Sequence, residues 1–116
     1  MTADEMQAIV MAFPGVEEGT SYGRAAYKVA GKLLTRLRDE DASVVLQEVG
    51  FDEREMLIEA EPATFHFTEH YRNYPVVLAR IESLDPGAFR SLLERRYRKV
   101  APKKLVKEWD AAAGRA

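Results

Sequence analysis

Apolar positions in this chain recur with two periods, and the switches between them mark out the elements. Met6, Ile9, Val10 and Phe13 fall on one helical face, and Thr2 with Glu5 ahead of them has capping-box spacing. Pro14-Gly15 ends that helix, and "EEGTSYG" reads as a polar loop. The period then drops to two. "RAAYKVAG" and "KLLTRLR" read as strands joined tightly at Ala30-Gly31, and the acidic turn "DEDA" leads to a third, "SVVLQEV". Short loops between neighbours favour antiparallel pairing. Asp52 and Glu55 have the spacing of a second capping box, with Phe51 and Met56 as its hydrophobic staple. Met56, Leu57 and Ala60 form that helix's apolar face, and Pro62 stops it. "TFHF" and "VVLARIE" are the fourth and fifth strands. Asp85 caps the next helix, with Pro86 at its first position and Leu84 placed to pack on Phe89. Phe89, Leu92, Leu93, Tyr97 and Val100 line its inner side. Pro102 opens a last helix anchored by Leu105, Val106 and Trp109, and residues 110–116 read as a frayed tail.

The order α-β-β-β-α-β-β-α-α is that of an α+β protein in two layers. One five-stranded antiparallel sheet carries helices on one face and leaves the other at least partly open. Residues 1–116 read as one domain, with no internal repeat or linker.

Strand alternation assigns side chains to the two faces. Tyr27, Val29, Leu33, Thr35, Leu37, Val44, Leu46, Phe65 and Phe67 are expected inside. Val77, Ala79 and Ile81 join them if Arg80 points out. The outward set then collects Arg24, Lys28, Lys32, Leu34, Arg36, Arg38 and Arg80, with Gln47 and His66 beside them. Such a face could hold a phosphate backbone or an acidic peptide. The same composition also suits an ordinary solvated sheet face.

Composition narrows the function classes. Hydrophobic residues are 47% and charged residues 31% of the 116, as in soluble globular domains. There is no cysteine, which excludes disulfides, thiolate chemistry and cysteine-ligated zinc and suits a reducing cytoplasm. No apolar run approaches the ~18 residues of a membrane span. "MTADEMQ" lacks the apolar core of an export signal, so a cytoplasmic location is expected. The net charge of −2 hides a gradient: residues 1–62 carry 6 Lys/Arg against 13 Asp/Glu, and residues 90–116 carry 9 against 3. The basic end, with Lys103 and Lys104, could steer toward phosphates, or could simply be a solvated pair of helices.

"TFHFTEHYRNYP" concentrates the chemistry-bearing side chains. His66 and His70 are four apart, but the segment leaves a strand and enters a turn, and no third ligand supports a metal site. His70 with Glu69, Glu17 or Glu18 could perform acid–base work, with Tyr71 and His66 in the same pocket. No nucleophile elbow, phosphate loop or dinucleotide fingerprint accompanies them. No catalytic residue and no cofactor is therefore assigned. Tyr71, Tyr74 and Pro75 read as loop-shaping residues, and Arg72 as the best binding residue of the segment.

Three stretches resemble the MmcQ/YjbR family of small bacterial proteins: "FPGVEEGTSYGRAAYKVAGKLLTRL", "FDEREMLIEAEPATFHFTEHYRNYPVVLARI" and "RSLLERRYRKVAPKKL". They cover nearly the whole chain in order. The family's usual elements near Gly23, Lys28, Lys32, His70, Tyr71 and Pro75 have counterparts here. The resemblance implies a two-layer fold like that of secretion chaperones, α-β(3)-α-β(2)-α, described as a double-wing DNA-binding arrangement. It implies DNA as a partner, or a protein or peptide, and supplies no catalytic residue. The sequence pI of about 5.7 runs against a strongly basic DNA-binding domain.

Overall fold

The first helix begins where its capping box puts it. Thr2 Oγ1 accepts from the Glu5 amide and Glu5 Oε1 accepts from the Thr2 amide, each at 3.1 Å, and α1 runs Ala3–Met11. In the computed structural model, which describes residues 1–21 and 24–114, it is followed by β1 (Val16–Ser21), β2 (Arg24–Val29), β3 (Lys32–Arg38), β4 (Ser43–Gln47), α2 (Phe51–Ala60), β5 (Phe65–His66), β6 (Val76–Arg80), α3 (Pro86–Val100) and α4 (Lys103–Ala112). The strands form one antiparallel sheet in the order β1-β2-β3-β4-β6-β5.

The sheet has six strands, not five. The additional one is β1, built from the stretch read as a loop. Its only large apolar residue is Val16, so it carries no alternating signal; it is held as an edge strand by backbone pairing from Val16↔Val29 to Ser21↔Arg24. The β2–β3 hairpin turns on Ala30 and Gly31, both at positive φ, as a two-residue loop between twisted strands requires.

On one face of the sheet α1 packs on β1, α3 on β3 and β4 and α2 on β5 and β6, and α4 joins the same core through Leu105, Val106 and Trp109. Tyr27, Val29, Leu34, Val44, Leu46, Phe65, Val77 and Ala79 meet Met6 and Val10 of α1, Phe13 just after it, and Phe89, Leu92, Leu93 and Tyr97 of α3. Asp85 caps α3 by accepting from the Ala88 amide at 2.9 Å. Tyr97 is fully buried, and its hydroxyl donates to the Pro14 carbonyl at 2.8 Å. Its ring packs against Phe13 at 4.9 Å and against Trp109 of α4 at 5.4 Å, which locks three helices together. The last helix continues to Ala112, into the stretch read as tail. Among the described residues no helix is long and apolar enough to cross a membrane.

Strand parity holds in most places and fails in one instructive way. Tyr27 pairs with Thr35 and Lys28 pairs with Leu33, so Leu34 is an extra residue in β3. This bulge lets Leu34 and Thr35 both face the helices, and parity is reversed before it. Leu34 is therefore fully buried in the main core, and Leu33 is on the opposite face, the reverse of the expectation. Lys32 pairs with the core residue Val29 and so leaves the outward cation set.

The second helix also departs from its local signals. Gly50, not Asp52, stands at its N-cap with no side-chain bond, and the staple is absent because Phe51 and Met56 are exposed. Leu57 packs on the core as expected, but its companion there is Ile58 in place of Met56 and Ala60. Phe67 lies past the end of a two-residue β5 and is half-exposed instead of inside.

Candidate binding site on the open sheet face

The face away from the helices carries the predicted polar set, and part of it is roofed. Cross-strand partners share a face, so Arg38, Ser43 and Arg80 form one row, Val45, Leu78 and His66 another, and Gln47 and Val76 a third. Val45, Val76 and Leu78 would leave an apolar patch in water. They are covered by Tyr71, which closes a second small core. The chain after β5 thus folds back over the sheet as a short 3-10 turn, Glu69–Tyr71, before Pro75 leads into β6.

That return is held from beneath by Arg54 of α2, only 5% exposed. Its Nη1 points to the carbonyls of Tyr71 (3.0 Å), Tyr74 (3.1 Å) and Val76 (3.2 Å), and its Nη2 donates to that of Arg72 (2.9 Å). The guanidinium carbon lies 4.0 Å from the centroid of the Phe67 ring and 5.0 Å from that of Phe51. A buried charge is tolerated when dipoles replace its water shell, and here four carbonyls and two ring faces do so. From the sheet side, Arg36 Nη2 donates to the Tyr71 hydroxyl at 2.6 Å.

Between the return segment and the sheet lies a pocket of about 230 Å³. Leu33 and Arg36 of β3, Val45 and Gln47 of β4 and Val76 of β6 form its floor and one side; His70, Tyr71, Tyr74 and Pro75 form the other. His70 meets Tyr71 edge-on, and its ring is inclined 29° to that of Tyr74 with centroids 6.5 Å apart. Tyr74 is 57% exposed, a large ring at the rim with one side open.

The predicted site residues divide among several surroundings. Arg36, His70 and Tyr71 converge on the pocket. Lys28 pairs across strands with Leu33 of its floor and with Glu17 of β1. Arg72 does not line the pocket; it is exposed and ion-paired with Glu69 at 3.0 Å. Arg38 is engaged by Glu40 and Asp41, each at 3.3 Å, and Arg80 donates to the Ala63 carbonyl at 3.3 Å. Glu18 is not in the pocket: it pairs with the core residue Tyr27 on the helix side and accepts from Gln7 of α1 at 2.6 Å. Lys103 and Lys104 belong to α4, in the helical layer. Gly23 lies outside the described residues, as does the Arg24 side chain.

His66 is separate from His70. Its Nε2 is 2.9 Å from Ser43 Oγ and 3.6 Å from Asp41 Oδ2. A serine, a histidine and an aspartate meet here, but both contacts use the same ring nitrogen. A nucleophilic relay needs one nitrogen for the serine and the other for the carboxylate, so this trio is no such relay. Burial first, then the charge of Arg80, pushes the His66 pKa below its ordinary value, with Asp41 opposing. The neutral ring is therefore favoured in the fold. Stability from this preference is intact above the unfolded histidine pKa, near 6.5, and is lost as pH falls toward the lower folded value. Urea midpoints should drop more between pH 7.5 and pH 5 for the natural chain than for His66→Gln; equal drops would place the titration elsewhere.

Part of the basic C-terminal segment is paired within the molecule. Arg95 pairs with Glu53 at 2.6 Å, Lys99 with Glu48 at 3.0 Å, and Arg98 with Glu94 and Asp110 at 3.1 and 2.7 Å. The charge gradient along the chain is thus spent partly on docking α3 against acids from the loop before α2 and from α2 itself. Such exposed pairs add little stability, but they do cancel the local field.

Arg54 was missed at sequence level. Its signal is an arginine on the same helical stripe as Leu57 and Ile58, where an apolar residue would be expected. A family model described as YjbR matches residues 11–99. No curated protein and no solved structure matches the chain.

Proposed function

The chain belongs to the YjbR family, and from that premise we propose that it is a non-enzymatic nucleic-acid-binding module that takes DNA phosphates on the open sheet face. One observation carries this reading: Lys28, Arg36, Arg38 and Arg80 share that face, around an aromatic-lined pocket, on the side of the sheet away from the main core. Lys28 has no ion pair among the described residues, and Arg36 keeps donors beyond the one spent on Tyr71. Arg38 and Arg80 are already engaged, so their contribution is weaker. Contacts of this kind displace counterions and make binding salt-dependent.

Fluorescence anisotropy with labelled oligonucleotides at low salt tests the proposal. Lys28→Glu with Arg36→Glu should weaken binding at least about tenfold and lower the slope of log affinity against log salt by about 2. Unchanged affinity in a folded double variant, or a flat titration of the natural chain, would refute it. A peptide-binding module is the second reading. The free edge of β1 favours it, because an unpaired strand edge can accept an added strand. A partner whose capture survives nuclease treatment and is lost on Gly19→Pro would support that alternative.

A further inference from the structure

We propose that the pocket between the return segment and the sheet receives one unstacked nucleobase, so that single-stranded nucleic acid is the preferred partner. This rests on the nucleic-acid reading above and adds what the pocket recognises.

Size comes first. At about 230 Å³ the pocket is smaller than the ~300–1,000 Å³ typical of sites for drug-sized ligands. It suits one small planar group rather than an extended molecule. Val45 and Val76 make the floor apolar, and the exposed Tyr74 ring with His70 beside it offers a stacking surface at the mouth. Every base has a π face, so aromatic platforms bind single strands with little sequence preference.

The polar groups favour a base over a purely apolar group. Gln47 is half-buried at the pocket, and its side-chain amide makes no hydrogen bond among the described residues. An amide offers a donor and an acceptor side by side, and the edge of a nucleobase offers their complement. Arg36 supplies the cation at the same pocket, where the phosphate attached to that base would lie. Lys28 stands next to this point through its pairing with Leu33.

The pocket is also built in advance. Tyr71 is held by Arg36 through its hydroxyl and by Arg54 through its carbonyl, so the wall does not have to order on binding. A paired base in a duplex has its Watson–Crick edge occupied and its faces stacked, and cannot enter. A phenylalanine side chain of a peptide could enter but would leave the Gln47 amide unpaired.

The test compares a single-stranded oligonucleotide, its duplex, and the same strand made abasic throughout, by anisotropy at fixed salt. A nucleoside monophosphate is titrated in parallel and followed by amide resonances of residues 45–47 and 70–76. The single strand should bind about tenfold more tightly than the duplex. Tyr74→Ala and Gln47→Leu, both confirmed folded by melting, should remove that preference. An abasic strand that binds as tightly as the natural one overturns the base pocket while leaving phosphate binding in place. Resonance shifts with the monophosphate but no binding of any polymer would support the pocket and defeat the polymer reading. Silence from both ligands defeats both, and saturable binding of an aromatic peptide without response to nucleotides assigns the pocket to a protein partner.

Discussion

Arg54→Leu lowers stability by about 3 kcal/mol and loosens the pocket wall ahead of the rest of the fold. The guanidinium is bonded to the carbonyls of Tyr71, Arg72, Tyr74 and Val76. Hydrogen bonds to a charged group contribute about 1.5–3 kcal/mol each, and a buried acceptor left without a donor costs about 1–3. Those terms do not add, since carbonyls freed at the surface will recruit water, and leucine recovers some packing on Phe67. The loss is local because the bonded carbonyls belong to one short stretch of chain. Amide exchange at residues 71–76 should therefore accelerate more than exchange in β4. Arg54→Lys should recover only part of the stability, because an ammonium cannot reproduce the planar fork. Urea unfolding and site-resolved exchange decide it. Less than about 1 kcal/mol lost, with no change at 71–76, would mean that Tyr71 alone holds the return segment.

Tyr97→Ala should cost about 3–5 kcal/mol and act on the whole domain. This side chain is fully buried, contacts Phe13 and Trp109 ring to ring, and donates to the Pro14 carbonyl in the turn after α1. Its removal leaves a cavity where three helices meet. Against a typical domain stability of about 5–15 kcal/mol, this is a large share. Tyr97→Phe keeps the ring and loses one neutral hydrogen bond, so it should cost only about 1 kcal/mol. Because the cavity lies on the helical side, the variant should lower the urea midpoint without selectively accelerating exchange at residues 71–76. Selective opening there would mean that the two faces of the sheet are coupled. Together the two substitutions separate the layer that makes the fold stable from the layer proposed to bind.

Features with a short-range cause are readable in the residues themselves. The Thr2–Glu5 box and the Asp85 cap form because each joins groups three residues apart. The Ala30-Gly31 hairpin forms because only two residues separate its strands. Alternation placed Val44, Leu46, Val77 and Ala79 inside and Arg36, Arg38 and Arg80 outside. The same rule misplaced Leu33, Leu34 and Lys32, since a bulge changes the count without changing the composition. It overlooked β1, whose outer edge has no partner and whose outward side chains need not be apolar. It also set a cap at Asp52, one of several acids near a helix start where Gly50 takes the position instead.

The residue order alone therefore settles an α+β protein, an antiparallel sheet and two unlike faces, because periodicity is a property of neighbours along the chain. The site is decided at another level. Arg36 meets Tyr71 across 35 positions, and Arg54 reaches carbonyls 17 to 22 positions away. Backbone carbonyls are the same in every residue, so no side-chain pattern announces which of them a buried arginine will find. Only the folded chain brings the return segment down on Val45, Val76 and Leu78. The pocket exists because burying that apolar patch and satisfying that one charge are achieved by the same few residues.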